Sequence, residues 1–291
     1  MSNSIALASK YVPALDEVYK LASLTSDLDG ATDLAKQGAN ANELIIPVMS
    51  MDGLADYSRN SGYVTGDVTL VNKTVSCNYD RGRKFSVDYL DDEESANIAF
   101  GKLAGEFIRT QLVPELDAFR FAAYAAKAGN VVSSGATLST GADVVAALRE
   151  ANDALDEDEV PYDERYLYIT GALEGLLADM DTTKSREVLD NFSKITKVPQ
   201  GRFYTAITLR DGKTSGQEAG GYTKASGAKD INFMVIHKPA VIQFQKHIAP
   251  KIIRPEVNPD GDAWIFGYRN VGIADVYYNK TNGIYLHHKA S

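Results

Sequence analysis

Four consecutive carboxylates at 91–94 (DDEE) are the densest set of side chains that could carry chemistry in this sequence. Carboxylate oxygens can bind Mg²⁺ or Ca²⁺, but no histidine lies near them. Asp91 and Glu94 have the three-residue spacing of a capping box, and a helix N-terminus favours negative charge. We therefore interpret the cluster as the start of a helix, with a metal site as the less favoured alternative.

Three other stretches contain fragments of phosphate-binding or calcium-binding motifs. In DGKTSG (211–216), a phosphate-binding loop would need its first glycine at the position of Ile207. Calcium loops centred on Gly30 and Gly261 would place Lys36 and Gly267 where the bidentate glutamate belongs. We interpret the two calcium-like stretches as turns. We predict no bound metal and no cofactor.

The nucleophilic and metal-binding side chains also lack a functional spacing. The four histidines follow no metal-ligand pattern, and His287 and His288 are predicted to lie in a solvated tail. Cys77 falls on the apolar face of a predicted strand, which favours a buried thiol over a nucleophile. The nucleophile-elbow motif G-x-S-x-G and the dinucleotide motif G-x-G-x-x-G do not occur. No catalytic residue is predicted, although carboxylates from distant positions could still form an enzyme site.

The composition further limits the classes of protein to which this chain can belong. The 291 residues include 30 Lys+Arg and 39 Asp+Glu, a formal net charge of −9, which disfavours a protein that grips phosphate backbones. A single cysteine excludes an internal disulfide and suits a reducing cytoplasm. No stretch of about 18 apolar residues occurs, so we expect neither a membrane span nor a secretory signal.

The first ninety residues predict an arm and a long ribbon. Residues 1–40 are polar and are expected to pack loosely or on another molecule. ELIIPVMSM (43–51) and TLVNKTVSCNYD (69–80) have strand patterns, with a turn predicted at RGRK (81–84). A two-stranded ribbon is marginally stable in water, so its apolar side chains need a surface elsewhere in this chain or on another chain. These side chains are Ile45, Ile46, Val48, Met49 and Met51.

Residues 92–128 predict one long helix, about 55 Å at 1.5 Å per residue. Pro114 lies near its middle, and because the apolar repeat resumes directly afterwards, we expect a bend there rather than an end. The side chains expected to face the core are Phe100, Leu103, Phe107, Leu116 and Phe119.

The remainder of the chain alternates helices and strands and ends in antiparallel β-structure. Its glycine-rich stretch 211–230 is predicted to be mobile or ordered only by a partner. The other predicted elements are helices at 143–154, 172–180 and 239–247, and strands at 165–170, 203–209 and 233–236.

Three stretches together resemble a known family: 79–125, which runs from the predicted ribbon into the long helix; VPQGRFYTAI (198–207) with MVIHKPAVIQFQKH (234–247); and 251–286. In order and spacing the chain is similar to the major capsid proteins of tailed bacteriophages of the Hong Kong 97 type, from about residue 40 onward.

The resemblance implies an α+β fold of that type, with an N-terminal arm (1–40), an extended β-hairpin loop (41–90), a peripheral domain with the spine helix (91–130 and 251–291) and an axial domain (131–250). It implies that Ile45, Ile46, Val48, Met49 and Met51, with Tyr57 and Tyr63, lie between subunits, and that the spine bends at Pro114.

The implied function is structural. Copies would form hexamers and pentamers of an icosahedral shell around double-stranded DNA, without sequence-specific binding, catalysis or a membrane. Assembly would take place in the bacterial host cytoplasm, with a scaffolding protein, a portal and a possible decoration protein as partners. Two alternatives stay open, an encapsulin-type shell for cellular cargo and a cytoplasmic enzyme.

Overall fold

The computed structural model describes residues 23–30, 36–37, 43–89, 98–131, 136–180 and 187–290. Its contacts divide the chain into two compact units: the ribbon unit, Ala31–Asn78, and the body unit, which contains the remaining residues. The body mixes helices with two larger sheets, so the predicted α+β class is confirmed. Its helices are α1 (Ile98–Phe107), α2 (Val113–Ala125), α3 (Gly141–Glu157) and α4 (Gly171–Ala178).

The strands are β1 (Lys36–Gln37), β2 (Glu43–Met51), β3 (Val68–Ser76), β4 (Tyr79–Asp88), β5 (Asn130–Val131), β6 (Arg165–Thr170), β7 (Lys194–Val198), β8 (Ile207–Leu209), β9 (Tyr222–Lys224), β10 (Ile231–His237), β11 (Val241–Ile253), β12 (Ala263–Val276) and β13 (Ile284–His288).

The ribbon unit is built on the antiparallel pair β2 and β3. The register runs from Glu43 opposite Ser76 to Met51 opposite Val68, and β1 adds a short third strand beside Leu44 and Ile45. The predicted hairpin is therefore confirmed between residues 43 and 76, and residues 52–67 form its tip.

The turn predicted at RGRK is wrong. β4 runs without a break through these residues and pairs antiparallel with β12, with Arg81 opposite Asn270 and Lys84 opposite Gly267. Arg81 and Arg83 lie on the same face of the strand as Phe85, so charge conceals the alternation that would have shown a strand. The chain leaves the ribbon at Cys77 and Asn78, and the Cys77 side chain is only half-buried there.

The spine is a helix without interruption from Ile98 to Ala125, in which α1 and α2 are joined by a π-helical turn, Ile108–Leu112. Pro114 lies two residues after the end of this turn. Proline has no N–H and its ring crowds the carbonyl four residues before it, so a wider turn at this point relieves the clash. The prediction that the helix continues past Pro114 is confirmed, whereas the predicted start at 91–94 lies outside the described residues.

The first half of the spine packs on the sheet β11-β12-β4. We call the apolar cluster between them the spine–sheet core. Leu103, Phe107, Leu116 and Phe119 all lie in it, against β4 and β12, while the Phe100 side chain lies outside the described residues. The helix predicted at 239–247 is wrong, because β11 pairs with β12 over its whole length, from Val241 opposite Val276 to Ile253 opposite Ile265.

The second half of the spine packs on the larger sheet, whose strand order is β5-β13-β10-β6-β7. Helices α3 and α4 cover the opposite face, which explains why every residue of β10 and β13 is buried. The solvated tail predicted for His287 and His288 is therefore wrong, since both lie in β13, paired with β10. β13 falls within the segment expected in the peripheral domain, yet it pairs with strands of the segment expected in the axial domain.

Candidate functional site

The described residues do not bring three or more His, Cys, Asp or Glu side chains together as a metal site would require. Among the helices described, none combines the length and apolar character needed to cross a membrane. The features that can carry a function are instead the contacts that organise the spine helix, an open cavity beside it, and the exposed surface of the ribbon.

Arg81 fastens three elements together at the middle of the spine. Its guanidinium binds the buried Glu115 with two hydrogen bonds, Nε to Oε1 at 2.8 Å and Nη2 to Oε2 at 3.2 Å. Tyr79 donates a third bond to the same carboxylate at 3.1 Å. The guanidinium also donates to the carbonyl oxygens of Arg210 at 2.7 Å and Gly221 at 3.3 Å. The Arg81 side chain therefore joins the spine to Arg210 and Gly221, which lie at the two ends of the first loop in the glycine-rich stretch.

That loop, residues 211–221, is held by its own chain, which corrects the prediction that the stretch is mobile or ordered only by a partner. Arg83 donates to the carbonyl oxygen of Glu218 at 3.0 Å. The Asp211 carboxylate accepts hydrogen bonds from the Thr214 hydroxyl at 2.5 Å and from the Lys213 amide at 2.8 Å. These bonds, the Thr214 hydroxyl first, lower the pKa of Asp211 to about 2. Gly212, with φ of +71°, supplies the left-handed backbone that the turn requires.

Residues 23–30 of the predicted arm are built into the body unit. Asp117, fully buried in α2, accepts bonds from the Ser23 hydroxyl at 2.9 Å, the Leu24 amide at 3.1 Å and the Thr25 hydroxyl at 2.8 Å. Its second oxygen also pairs with Arg202 at 3.2 Å. The expectation of loose packing is therefore wrong for this part of the arm.

A second set of contacts holds residues 23–30 in place. Arg120 donates to the Thr25 hydroxyl at 2.7 Å, and Gln243 of β11 donates to the Thr25 carbonyl at 2.6 Å. Leu28 is completely buried in the core beneath the second half of the spine. Polar bonds and apolar packing together anchor the arm where the spine passes between the two sheets.

Beside the first half of the spine lies an open cavity of about 530 Å³. Leu103, Phe107 and Gln111 line it from the spine, Phe85 from β4, and Arg210 and Gly220 from the glycine-rich loop. Phe107 is half-buried and packs edge-on against Phe85, with ring centroids 4.9 Å apart. The cavity is therefore apolar at its base and bordered by arginines.

The ribbon exposes apolar side chains. Of the predicted interface residues, Met49, Met51, Tyr57 and Tyr63 are exposed, and Ile45 and Val48 are partly exposed. Ile46 differs, because its side chain is only 7% exposed in the single chain. Sequence reasoning did not find the further exposed residues Leu54, Val64, Val68 and Leu70. Leu54 and Val64 lie between the two ribbon strands, and Val68 and Leu70 alternate with the residues on the Cys77 face of the predicted strand, so no periodic signal marked them.

No protein-family profile matches this sequence, and no curated protein sequence matches it. Solved structures do match. A structure from Mycobacterium phage Che8 has 13% identity and a TM-score of 0.62, covering 91% of this chain and 90% of the other. The mature capsid of bacteriophage PhiM1 has 12% identity and a TM-score of 0.61, covering 88% and 83%.

A virus-like particle from Pyrococcus furiosus has 13% identity and a TM-score of 0.58, covering 96% of this chain and 98% of the other. Identities this low establish a shared fold alone. The fold expected from the resemblance to tailed-phage capsid proteins is thereby confirmed.

Proposed function

We propose that this chain, which shares its fold with tailed-phage capsids, is a major capsid protein that assembles into an icosahedral shell around double-stranded DNA. Its role is structural, without catalysis. The observation that supports this most is the ribbon unit, a separate compact unit that carries a row of exposed apolar side chains. Large exposed apolar patches mark surfaces of interaction.

The exposures are large enough to favour contact with another copy. Met51 is 66% exposed and Tyr63 is 90% exposed. Burying one such side chain contributes roughly 1.5–3 kcal/mol, and the gain recurs in every copy of a closed shell. A ribbon of so few strands is also marginally stable in water, so contact with a neighbour would stabilise both partners.

The charge of the chain agrees with a container for DNA. A net charge of −9 opposes adhesion to phosphates, which would impede the packing of a genome. We propose that the shell encloses DNA without sequence-specific contacts. Hexamers and pentamers would be the units of the shell, with a scaffolding protein and a portal as partners. Assembly would take place in the bacterial host cytoplasm.

The division of the chain into an arm, a loop and two domains also belongs to this proposal. We propose that each shell subunit has four parts: an arm (1–40), an extended loop (41–90), a peripheral domain (91–130 with 251–291) and an axial domain (131–250). Contacts between subunits would involve the exposed predicted residues Met49, Met51, Tyr57 and Tyr63.

Assembly can be tested by expressing the chain with the proteins encoded beside it and imaging the particles by cryo-electron microscopy. We expect closed icosahedral shells from the wild type. The double variant Met51→Asp/Tyr63→Asp should stay folded by circular dichroism but form no shells. Thr69→Asp, an exposed polar position on the same ribbon, is the matched control and should assemble. A wild-type chain that elutes only as a stable monomer or dimer would contradict the proposal.

A second candidate, an encapsulin-type shell for cellular cargo, is favoured by one observation, the similarity to the Pyrococcus furiosus particle over nearly both full lengths. The content of native particles separates the two. Packaged DNA and neighbouring portal or terminase genes favour the phage capsid, whereas DNA-free particles that enclose an enzyme favour the compartment.

A further inference from the structure

We propose that Asn270 of β12 is a second partner for the Arg81–Glu115 pair, which gives the spine two hydrogen-bonded positions on the sheet. In the position seen in the structure, Arg81 holds the first glycine-rich loop, residues 211–221. In the other position, Asn270 lies between Arg81 and Glu115, and the loop is released. The inference concerns a single folded chain and goes beyond the proposed function, since it does not need a shell.

The Asn270 side chain is completely buried without a partner. Its exposed fraction is 0%, and among the described residues neither its amide nitrogen nor its amide oxygen has a hydrogen-bond partner. Buried amides are nearly always hydrogen-bonded, because an unpaired donor or acceptor keeps the full cost of leaving water. The position seen in the structure therefore carries a penalty that a second position would remove.

Asn270 lies close to both members of the pair. It is directly opposite Arg81 in the ladder of β12 with β4, and opposite Ile248, which packs in the spine–sheet core, in the ladder of β12 with β11. Residues opposite each other in an antiparallel pair project to the same face, with Cβ atoms about 4.5–5.5 Å apart. The Asn270 side chain therefore lies on the spine side of the sheet, beside the guanidinium that binds Glu115 at 2.8 Å.

An asparagine amide has the groups that the second position needs. Its oxygen can accept from the Arg81 guanidinium while its NH₂ group donates to the Glu115 carboxylate. Glu115 also has the Tyr79 hydroxyl as a donor, at 3.1 Å in the structure. The groups that lose a partner are the carbonyl oxygens of Arg210 and Gly221, at the ends of a largely exposed loop where water can replace the guanidinium.

The spine has a local reason to shift at this point. The π-helical turn Ile108–Leu112 ends three residues before Glu115, and Pro114 directly precedes Glu115. The wider turn and the missing proline N–H leave this part of the helix with fewer regular backbone hydrogen bonds. A small rotation of the spine here would move the Glu115 carboxylate from Arg81 towards Asn270.

Another buried asparagine lacks a partner but is not placed to do this. Asn152 of α3 is 6% exposed, and its amide also has no hydrogen-bond partner in the described part of the chain. Helix α3 covers the face of the larger sheet opposite to the spine, so the Arg81–Glu115 pair is out of its reach. Asn152 therefore provides a matched control.

Hydrogen exchange of the folded monomer, measured by mass spectrometry, tests the two positions. Asn270→Leu is similar in size but cannot form the second position, so the amides of 211–221 should exchange at least about threefold more slowly than in the wild type. Asn270→Asp should draw the Arg81 guanidinium away from the loop and accelerate the same amides at least about tenfold. General destabilisation would instead accelerate exchange in both variants.

Asn152→Leu removes the other unpartnered amide and should leave exchange in 211–221 within about twofold of the wild type. Circular dichroism should show that the variants are folded. If Asn270→Leu does not fold, Asn270→Ala removes the same two polar atoms without adding a branched side chain and replaces it.

Loop exchange that is unchanged or faster without the Asn270 amide would overturn the second position. Equal slowing by Asn152→Leu would also overturn it, because the effect would then come from removing any unpaired buried amide. These measurements use the monomer, so the proposed function stands or falls separately on the formation of shells.

Discussion

Asp117 is the residue with the most demanding environment in the body unit. Its carboxylate is fully buried at the middle of the spine and accepts hydrogen bonds from three groups of residues 23–25 besides pairing with Arg202. A buried charge is tolerated only when it is paired and hydrogen-bonded in this way. The anchoring of the arm and the burial of the charge therefore depend on each other.

We expect Asp117→Asn to lower the free energy of unfolding by about 3–5 kcal/mol, because removing one partner leaves Arg202 and buried donors uncompensated. Urea denaturation of the monomer measures the loss. Asp163→Asn, which alters an exposed carboxylate, is the matched control and should change stability by less than about 0.5 kcal/mol. Equal midpoints for the two variants would show that the arm is not anchored through Asp117.

His287 links stability to pH. It is buried in β13, stacked on Phe233 with ring centres 4.9 Å apart, and its Nδ1 lies 3.0 Å from the Asn232 amide nitrogen. Burial, and secondarily the neighbouring His288, lower the pKa of His287 from 6.5 to about 4. The unfolded chain therefore takes up the proton first as the pH falls.

Stability should accordingly be complete above pH 6.5 and decline as the pH falls towards 4, with a total loss of about 3 kcal/mol from His287. Denaturation midpoints at several pH values in this window measure the slope. His287→Gln should flatten it, leaving the smaller contribution of His237, whose pKa burial also lowers. The exposed His247 provides the control, and a slope unchanged by His287→Gln would contradict the assignment.

At the scale of elements, Arg81 determines whether the glycine-rich loop stays attached to the spine. Arg81→Lys keeps the charge but loses the planar fork that reaches Glu115 and two loop carbonyls at once. We expect hydrogen exchange of the amides in 211–221 to accelerate at least about tenfold, measured by mass spectrometry. Arg269→Lys alters an exposed bidentate pair with Asp80 on the same sheet and should leave loop exchange unchanged. Acceleration by both variants would point to general destabilisation of the sheet instead.

The spine helix contains two sources of irregularity only two residues apart, the π-helical turn Ile108–Leu112 and Pro114. Sharp bends in helices concentrate at such features. We predict that the spine bends there by different angles in copies at differently curved positions, or before and after a shell expands. Cryo-electron microscopy of both states measures the angles, and identical bends in all copies would defeat the prediction.

Pro114→Ala tests the same feature in the monomer. Restoring a backbone donor should leave the melting temperature unchanged or raise it, since proline costs about 3 kcal/mol inside a regular helix. The yield of closed shells should fall if the bend is needed. If the variant is destabilised but assembles normally, Pro114 stabilises the monomer and is not needed for assembly.

For the whole molecule, the division into ribbon and body units predicts that assembly and folding can be separated. We expect a chain in which residues 31–78 are replaced by a flexible linker to keep the stability of the body, because the spine–sheet core and the larger sheet lie within the body. The same chain should form no shells. Calorimetry and electron microscopy check the two parts, and loss of cooperative unfolding would show that the body depends on the ribbon.

Local pattern predicted the elements whose partners lie nearby or whose apolar period is clean. The helix predicted at 143–154 is α3, with a capping box between Thr140 and Asp143, and RYLYIT is β6 at its predicted bounds. The spine helix was predicted from the period of its apolar residues, although Pro114 lies within it. Of the candidate surface, Met49 and Met51 were predicted from the strand pattern, and Tyr57 and Tyr63 from the resemblance. The cavity lined by β4, the spine and residues 210–221 could not be predicted, because its walls are distant in sequence.

The errors share one cause, which is that pairing across the chain outweighed local preference. RGRK is a turn by composition, but β12 supplies a ladder for β4 and Glu115 supplies the counter-charge for Arg81. Residues 239–247 have a helical apolar spacing, but β12 pairs with all of β11. His287 and His288 are polar, but both are buried in β13, which pairs with β10 inside the larger sheet.

The sequence by itself determined the class of the fold, the long spine, the hairpin and its surplus of apolar side chains, because helix and strand periods and net charge are properties of neighbouring residues. Only the tertiary structure decided that the spine crosses two cores, that Asp117 fixes the arm and that Arg81 holds the glycine-rich loop. Each of these depends on contacts between residues dozens to more than a hundred positions apart. Such contacts form only when the whole chain has folded, so no local pattern encodes them.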